Sequence, residues 1–310
     1  MPAKRAHWYN NKTDGSGKTM LIVRAAKAAD IDAMSLLAEE AGTGFTSLSA
    51  IKAMVGVSKP YWDFKIITIA QHSVDANRRF DMDAMLLVND FAGSTEVGTL
   101  FVSEAGRGGG AGRLVAQSRY LLMAAAPHRF GEKVLAELRG VVLEDGSSPF
   151  FDHVSRPFFH MDFDEADRLS ASTDNQFILD LGPQHLIYAD LLPQLVRDVI
   201  GQPHRDGVGA MNLLRWEGFH YDKYVDIFDG GPLVSNWTEN IRTLRESREV
   251  TVHAATTAGG VQGILSTDRI EDFRTCAVEV VDDGDMLGIS YEVMQAMDLQ
   301  DGERARFWRR

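Results

Sequence analysis

Five glycines in ten residues form the segment GRGGGAGRLV, from Gly106 to Val115, between an apolar run and a helix-like pattern. A backbone with so few side chains lets several N–H groups point into one concavity at the positive end of the following helix. Such a concavity favours bound phosphate. The segment therefore predicts a contact with a phosphate-bearing ligand.

Three interpretations fit a glycine segment at this place. A weak match of Gly106, Gly108 and Ala111 to G-x-G-x-x-G/A would indicate a dinucleotide fold, but such a loop normally follows the first strand of its unit and this one follows four or five. A flexible surface hairpin would need no ligand. The third interpretation is the pyrophosphate loop of acyl-CoA N-acyltransferases, R-x-x-G-x-G or R-x-x-G-x-A, which Arg107 to Gly112 matches in full. The run EVGTLFV before the loop and the amphipathic helix after it favour this third interpretation.

The acyl-CoA interpretation assigns the pyrophosphate to the loop itself. Its contacts are then the side chain of Arg107 and the backbone of Gly108, Gly110, Ala111 and Gly112. Arg107, Arg113 and Arg119 would supply local positive charge, which suits an anionic ligand on a chain whose formal net charge is −12 at pH 7. That acidity argues against nucleic acid and anionic membranes as partners, because either requires a basic face. A small cationic or zwitterionic substrate is easier to accommodate.

The 310 residues, 45% of them hydrophobic, are enough for one large domain or two ordinary ones with a sizeable core. A single cysteine, Cys276, excludes an internal disulfide framework and suits a reducing compartment, and we expect it in a buried strand. No apolar run approaches the roughly 18 residues of a membrane span, and the N-terminus lacks the apolar middle of a signal peptide. The sequence predicts a cytoplasmic protein.

The elements that must position the loop alternate between strand and helix patterns. Asp30 is a plausible N-cap for a helix ending near Gly42, and Arg113–Ala126 has the apolar spacing of a second helix. Strands are predicted at Ile51–Val57, Lys65–Ala70, Ala84–Asn89, Glu96–Val102 and in KVLAELRGVV, residues 133–142. This order predicts an α/β or α+β fold.

Composition divides the chain into three parts. Residues 1–19 are polar and aperiodic and are expected to be a disordered tail, 20–248 form the main domain, and 249–310 form a small β-rich extension. Two segments of the main domain, SPFFDHVSRPFFHMDF and GAMNLLRWEGFHYDKYVDIF, each run from a short helix through an aromatic pair towards a strand. They predict a degenerate internal repeat.

Longer motifs add a family resemblance from about Met20 to Val250. The chain contains VRAAKAADIDAM, GTGFTSL, EVGTLFV with its glycine loop, SRYLLMAA, LAELRGV, SPFFDHV, FFHMDF, DVIGQPH and EGFHYDKYVDIFDGGP. Together they resemble arginine N-succinyltransferases. The resemblance implies an α+β fold of the acyl-CoA N-acyltransferase type, a mixed sheet flanked by helices, with a C-terminal extension. It also implies transfer of succinyl from succinyl-CoA to the α-amino group of arginine, the entry step of arginine catabolism by the succinyl route. Some members use ornithine or pair α and β subunits, so a homo- or hetero-oligomer with a related subunit is expected.

Site residues follow from matching motifs. The family's acyl-CoA contact in the strand before the loop falls on Leu100, with Phe101 and Val102 beside it, and its proton-donating histidine falls on His204. A strand N–H beside the thioester can donate to the developing oxyanion, and an imidazole can protonate the leaving thiolate or accept a proton from the amine. The resemblance also places a family histidine at His185, with a structural or substrate-adjacent role.

A guanidinium substrate calls for carboxylates, because paired charge-assisted hydrogen bonds match its planar shape. The candidates are Glu137, Asp226 and Asp229, each of which is also explained by a structural or surface role. The residues DGGP, which begin at Asp229, predict a turn before they predict a binding site. Succinyl-CoA enters as a co-substrate, and neither a tightly bound cofactor nor a metal site is expected.

The chain departs from the family in one place. Between GTGFTSL and AIKAMVGVSKPYWDF, near residues 48–51, it lacks a segment long enough for a helix and a strand. In the general fold this region forms part of the wall on the acceptor side. A real shortening there would allow a second hypothesis, a catalytically silent CoA-binding subunit.

Overall fold

The computed structural model describes residues 12–13, 19–41, 51–52, 61–98, 100–103 and 109–310. Most of the predicted tail, most of the strand predicted at Ile51–Val57, and both Arg107 and Gly108 lie outside these residues. The strands are β1 (Lys12–Thr13), β2 (Thr19–Met20), β3 (Ile22–Arg24), β4 (Ile51–Lys52), β5 (Asp63–Ser73), β6 (Arg78–Val88), β7 (Thr95–Val97), β8 (Lys133–Glu137), β9 (Ile187–Tyr188), β10 (His220–Asp226), β11 (Pro232–Trp237), β12 (Arg248–Ala254), β13 (Val261–Thr267), β14 (Arg274–Asp283), β15 (Met286–Ile289) and β16 (Arg304–Arg309). The helices are α1 (Ile31–Ala41), α2 (Ala111–Ala125), α3 (Arg156–Phe159), α4 (Phe163–Ser172), α5 (Gln176–Leu181), α6 (Gln194–Arg197), α7 (Val208–Trp216), α8 (Arg242–Glu246) and α9 (Tyr291–Met297).

The chain divides into two compact units. The first unit contains Met1–Gly42, Leu100–Arg129 and Glu239–Arg310, and the second contains Thr43–Thr99 and Phe130–Thr238. The main-domain boundary predicted at residue 248 stays a prediction. No helix among the described residues has both the length and the apolar character needed to cross a membrane.

In the first unit the C-terminal strands form a small closed barrel. Among the described residues the strand order is β13-β16-β12-β15-β14, β14 pairs back onto β13, and β3 adds to the free side of β14. Alternating apolar side chains of these strands fill the interior together with α9. Cys276 lies in this core opposite Leu265, is 0% exposed, and burial raises the pKa of its thiol to about 12. The β-rich C-terminal part and the buried strand position of Cys276 agree with the sequence.

In the second unit one large sheet has the order β4-β7-β8-β11-β10-β5-β6-β9 among the described residues. The β7–β8 pair is parallel and the other pairs are antiparallel, which makes the sheet mixed. Aromatic side chains from the sheet and from the helices cover it. The rings of Phe64 and Phe150 are in edge-to-face contact, with their centroids 6.2 Å apart. A mixed sheet with helices confirms the α+β prediction.

The predicted internal repeat is wrong. The second segment does run from α7 through Phe219 and His220 into β10. The first segment instead continues from α3 into another helix, α4, because the carboxylate of Asp162 accepts the backbone N–H of Glu165 at 2.7 Å and caps that helix. A helix therefore stands where the repeat requires a strand.

Candidate active site

The glycine segment has the backbone that its composition predicts, as far as it is described. Gly109 and Gly110 have φ of +56° and +85°, a left-handed conformation that other residues rarely adopt. Gly110 then accepts the first helical hydrogen bond of α2, from Leu114 N–H at 2.9 Å. Ala111 and Gly112 form the first turn of α2, so their N–H groups belong to the positive end of a 15-residue helix.

A cation that the sequence did not single out lies beside this segment. A Cβ added to Gly110 would stand 3.6 Å from a guanidinium nitrogen of Arg310. Arg119, by contrast, is only 7% exposed and its Nε donates to Ala116 O at 3.4 Å, so it serves the packing of α2. Positive charge beside Gly110 is thus supplied by the residue that follows the last strand of the barrel.

The strand predicted at Glu96–Val102 is shorter than expected. The ladder of β7 with β8 ends at Glu96 opposite Leu135, and β7 itself ends at Val97. Leu100, Phe101 and Val102 are partly exposed and belong to no strand. Among the described residues, this apolar run pairs with β8 through Thr95 opposite Val134 and Glu96 opposite Leu135. The role of these residues in acyl-CoA binding stays a prediction.

Carboxylates from several strands meet at one edge of the large sheet in the second unit. Asp226, the last residue of β10, lies directly opposite Asp63, the first residue of β5, which places their Cβ atoms about 5 Å apart. Glu137 ends β8 at the same edge, and Glu96 is on β7, which runs parallel to β8. We call Asp63, Glu96, Glu137, Asp226 and Asp229 the acidic cluster.

Two members of the acidic cluster hold the backbone of the site. Asp226 Oδ1 accepts the N–H groups of Phe228 and Asp229, both at 2.8 Å, which closes the DGGP turn that the sequence predicts. The two oxygens of Asp229 accept N–H groups of Gly140 and Gly231, again at 2.8 Å. The strand predicted over residues 133–142 therefore ends at Glu137, because the Gly140 N–H is bound to this carboxylate instead of a neighbouring strand.

Other polar atoms of this region lie near Glu137 but form no hydrogen bond of ordinary geometry to a described residue. Both carboxylate oxygens of Asp63, the hydroxyl of Tyr61 and the indole N–H of Trp62 are buried and make no hydrogen bond to the described residues. Asp63 is 0% exposed. A buried polar group without a partner costs about 1–3 kcal/mol, more when it is charged. Such groups at the end of a strand can be satisfied by an ordered water or by a polar or charged ligand.

The electrostatics of the acidic cluster favour a cation. Burial is the main cause that raises the pKa values of Asp63 and Glu137 well above their ordinary range, and the charge of Asp226 adds to it. Burial, then the charge of Asp229, raises the pKa of Asp226 to about 7. The pKa of Asp229 is raised as well, mainly by burial, although its backbone donors oppose the shift. Carboxyls that resist ionisation together would be relieved by one bound positive charge.

His204 lies in a loop attached to the same edge. Its backbone N–H donates to Arg139 O at 2.7 Å, and the N–H of Gly201, in the same loop, donates to Gly230 O at 2.8 Å. The IGQPH motif is thus bound to the strand end that carries Glu137 and to the DGGP turn.

The ring of His204 has a partner in either protonation state. Its Nδ1 accepts the N–H of Asp206 at 3.2 Å and lies 3.5 Å from the Asp206 carboxylate, and the side chain is 17% exposed. We assign the proton of the neutral ring to Nε2 from the first contact, and a protonated Nδ1 can pair with the carboxylate. An imidazole supported in both states suits proton transfer.

The structure brings four of the predicted residues together and leaves one apart. Glu137, Asp226, Asp229 and the His204 loop share one edge of the sheet. His185 is exposed in the loop before β9 and makes no hydrogen bond or ion pair with described residues, so its predicted role stays a prediction. Sequence reasoning missed Asp63 and Glu96, because only strand pairing shows that they adjoin residues far along the chain.

Two family models match this chain. One, described as Arginine N-succinyltransferase beta subunit, matches residues 48–243, and the other, which describes the C-terminal domain of the same beta subunit, matches residues 248–309. The chain belongs to the arginine N-succinyltransferase family. The resemblance inferred from its motifs is confirmed.

Individual members of the arginine N-succinyltransferase family are similar over most of their length. Arginine N-succinyltransferase of Enterobacter sp. (strain 638) is 35% identical over 274 residues, 87% of this chain and 80% of that protein. The protein of the same name from Shigella dysenteriae serotype 1 (strain Sd197) is 31% identical, covering 94% of this chain and 98% of its own. The solved structure of arginine/ornithine succinyltransferase subunit AI from Pseudomonas aeruginosa superposes with a TM-score of 0.81 at 25% identity, over 94% of this chain and 98% of that one.

The comparisons also bear on the segment that this chain lacks. The alignment with the Shigella protein extends over 336 residues, more than the 310 of this chain, so that protein has residues without a counterpart here. The first family model begins to match at residue 48. The position of the missing residues near 48–51 stays a prediction.

Proposed function

We propose that the chain transfers the succinyl group of succinyl-CoA to the α-amino group of L-arginine, the first step of arginine catabolism by the succinyltransferase route. Membership of the arginine N-succinyltransferase family supports the reaction class. The observation on this chain that carries the proposal is the acidic cluster, whose closely spaced carboxyls with raised pKa values call for a cation such as a guanidinium.

On the acceptor side, Glu137 and Asp63 hold the guanidinium. Glu137 is partly exposed and so can contact a ligand, while Asp63 stands behind the edge of the sheet with both oxygens unpartnered among the described residues. Asp226 and Asp229 hold the backbone around the site, since their oxygens already accept backbone N–H groups. A bidentate carboxylate pair suits the planar fork of arginine better than the single ammonium of ornithine.

On the donor side, the pyrophosphate of succinyl-CoA lies on the N-terminus of α2. Arg107, Gly108, Gly110, Ala111 and Gly112 form this subsite, and Arg310 adds a cation beside Gly110. The thioester carbonyl lies along Leu100, Phe101 and Val102, where a backbone N–H stabilises the oxyanion. We assign the fold to the acyl-CoA N-acyltransferase type, supported by the parallel β7–β8 pair whose connection contains the glycine segment and α2.

The transfer is direct. The neutral α-amine attacks the thioester carbon, a C–N bond forms, and the C–S bond breaks as the tetrahedral intermediate collapses. His204 Nε2 passes the proton that the amine loses to the departing CoA thiolate, and the Asp206 carboxylate stabilises the ring while it is charged. A covalent acyl-cysteine step is disfavoured, because Cys276 is fully buried and the pKa of its thiol is raised to about 12.

The experiment follows release of free CoA thiol from succinyl-CoA on addition of L-arginine, with L-ornithine, L-lysine and no amine in parallel. The proposal predicts arginine-dependent release and formation of N-succinylarginine by mass. Substitution His204→Ala is expected to lower kcat about 100-fold or more, whereas His128→Ala, at an exposed histidine of the other unit, leaves it unchanged. An unchanged rate in His204→Ala would refute the role of the histidine.

A second candidate is a catalytically silent subunit that binds CoA and supports a related partner chain. The shortening near residues 48–51 favours it, and so does the description of the matching family model as a beta subunit. Succinyl-CoA binding without transfer to any of the three amines, together with co-purification of a related chain, would support this candidate over the first.

A further inference from the structure

A cavity of about 220 Å³ lies in the second unit, beside the strand end that carries Glu137. Its volume is below the roughly 300–1,000 Å³ of pockets for drug-sized ligands, so it fits part of a small molecule rather than a nucleotide. Two arginines, two aspartates, a serine and three less polar residues line it: Arg139, Val142, Gly146, Ser148, Arg156, Asp162, Phe163 and Asp164.

Arg139 presents its guanidinium without a partner of its own. The side chain is exposed, and within the part of the chain that the structure describes it makes neither a hydrogen bond nor an ion pair. Burial raises the pKa of the nearby Asp229 carboxyl, and the charge of Arg139 opposes that rise. The carbonyl of Arg139 accepts the N–H of His204 at 2.7 Å, which ties this arginine to the histidine loop.

Arg156, the second arginine of the lining, is held in place by its neighbours. Its guanidinium pairs with Asp152 at 2.8 Å and lies 5.6 Å from the centroid of the Phe151 ring. Two guanidinium groups, one held and one unpartnered, are the donors that a carboxylate prefers, because each can bind it with two parallel N–H groups. Ser148 adds a hydroxyl to the lining, and it already accepts the N–H of Phe151 at 3.3 Å.

The two aspartates of the lining do not cancel this preference. Asp162 Oδ1 is engaged as the cap of α4 through the N–H of Glu165. Asp164 remains beside the arginines, and a cavity with cationic and anionic groups side by side suits the head of an amino acid, with its carboxylate and its ammonium.

The cavity and the acidic cluster are joined by neighbouring residues of the chain, Arg139 and Glu137. Glu137 and Arg139 are two residues apart, so their Cα atoms are at most about 7 Å apart. In an extended arginine molecule the α-carbon and the guanidinium carbon are about 6 Å apart. Glu137 and Arg139 are therefore near enough in the chain for one arginine molecule to contact both.

We propose that this cavity is a carboxylate subsite of the transfer reaction, in which Arg139 and Arg156 bind the α-carboxylate of the amino-acid acceptor. The inference rests on the proposed function for the identity of the acceptor. The same chemistry would serve the terminal carboxylate of the succinyl group, and the test separates the two sources.

The test measures kcat/KM for four substrates in the wild type, Arg139→Gln and Arg156→Gln. Agmatine is arginine without the α-carboxylate, and butyryl-CoA replaces the terminal carboxylate of succinyl-CoA with a methyl group. Arg79→Gln, at an exposed arginine of β6, is the matched control. Arg156 is 51% exposed, so its variant is expected to fold even if Arg139→Gln does not.

The expected result is a fall of about tenfold or more in kcat/KM for L-arginine in Arg139→Gln, with the value for agmatine unchanged, so that the preference for L-arginine shrinks. A loss of preference for succinyl-CoA over butyryl-CoA instead would keep the subsite and reassign its ligand to the donor. The subsite is refuted if both variants keep both wild-type preferences, or if all four substrates lose activity equally.

Failure of the proposed function would be recognised separately. If the wild type transfers succinyl to no amine, calorimetric titration with the same four compounds tests the cavity alone. Tighter binding of the carboxylate-bearing member of a pair, lost in Arg156→Gln, supports the subsite. Equal binding of both members of each pair overturns it.

Discussion

Replacing Asp226 with asparagine is expected to stabilise the second unit at alkaline pH, although it removes a residue of the acidic cluster. The asparagine side chain would keep an oxygen for the N–H groups of Phe228 and Asp229, each bound at 2.8 Å, and would present an amide donor where the second oxygen now stands. The variant therefore keeps the shape and the turn while removing a carboxyl that must ionise in a buried place.

The magnitude follows from the pKa of Asp226, which is raised to about 7 by burial and by the charge of Asp229. An unfolded aspartate titrates near 3.9, so between about pH 4 and pH 7 the folded state holds a proton that the unfolded state has released. Stability contributed by this group is present at low pH and is lost as the pH rises through that window. The loss is about 1–2 kcal/mol at pH 5 and about 4 kcal/mol at pH 8.

Urea unfolding at pH 5 and pH 8 measures this effect, and Asp222→Asn, at an exposed aspartate on the same strand, is the control. The gain in unfolding free energy of Asp226→Asn over the wild type is expected to grow by about 2–3 kcal/mol between the two pH values. Asp222→Asn is expected to run parallel to the wild type. Parallel curves for Asp226→Asn, or a less stable variant at pH 8, would refute the account of the acidic cluster.

Three further predictions concern the same two units. In Gly140→Ala the new Cβ would clash with the backbone oxygen of Asp229, so the free energy of unfolding in urea is expected to fall by about 3 kcal/mol. The control is Gly209→Ala, in a helix with open space around the added Cβ. Equal stability of the two variants would contradict the close approach at Gly140. Binding of L-arginine is expected to release up to about one proton near pH 6.5, because the guanidinium favours ionised carboxyls. Calorimetry in buffers of different ionisation enthalpy measures this release, and net proton uptake would argue against this site. Cys276 is expected to resist alkylation by iodoacetamide at pH 8 in the native protein, and transfer activity is expected to be unchanged after the treatment. Rapid alkylation would show that the barrel core is open.

Periodic patterns predicted the elements that depend on local sequence. The strands predicted at Lys65–Ala70 and Ala84–Asn89 correspond to the two arms of one hairpin, β5 and β6, and the helix predicted at Arg113–Ala126 is α2 shifted by about two residues. Glycine content predicted the left-handed backbone before α2, because few other residues adopt it. These features are decided by neighbours in sequence.

The features that sequence did not predict depend on pairing over long distances. Asp63 and Asp226 are opposite each other only because β5 and β10 are antiparallel neighbours, which no local pattern states. The end of β8 at Glu137 depends likewise on a carboxylate of the distant DGGP turn. The sequence supplied Glu137, Asp226 and Asp229 as separate candidates, and the sheet order turned them into one site.

The most direct test of the account compares L-arginine with L-citrulline, which has nearly the same shape but a neutral side-chain end, as acceptors for the wild type and Glu137→Gln. The account predicts that the wild type prefers L-arginine by about 100-fold in kcat/KM, and that Glu137→Gln loses most of this preference while its KM for succinyl-CoA stays the same. Equal use of the two acceptors by the wild type, or a preference that survives Glu137→Gln, would contradict recognition of the guanidinium by the acidic cluster.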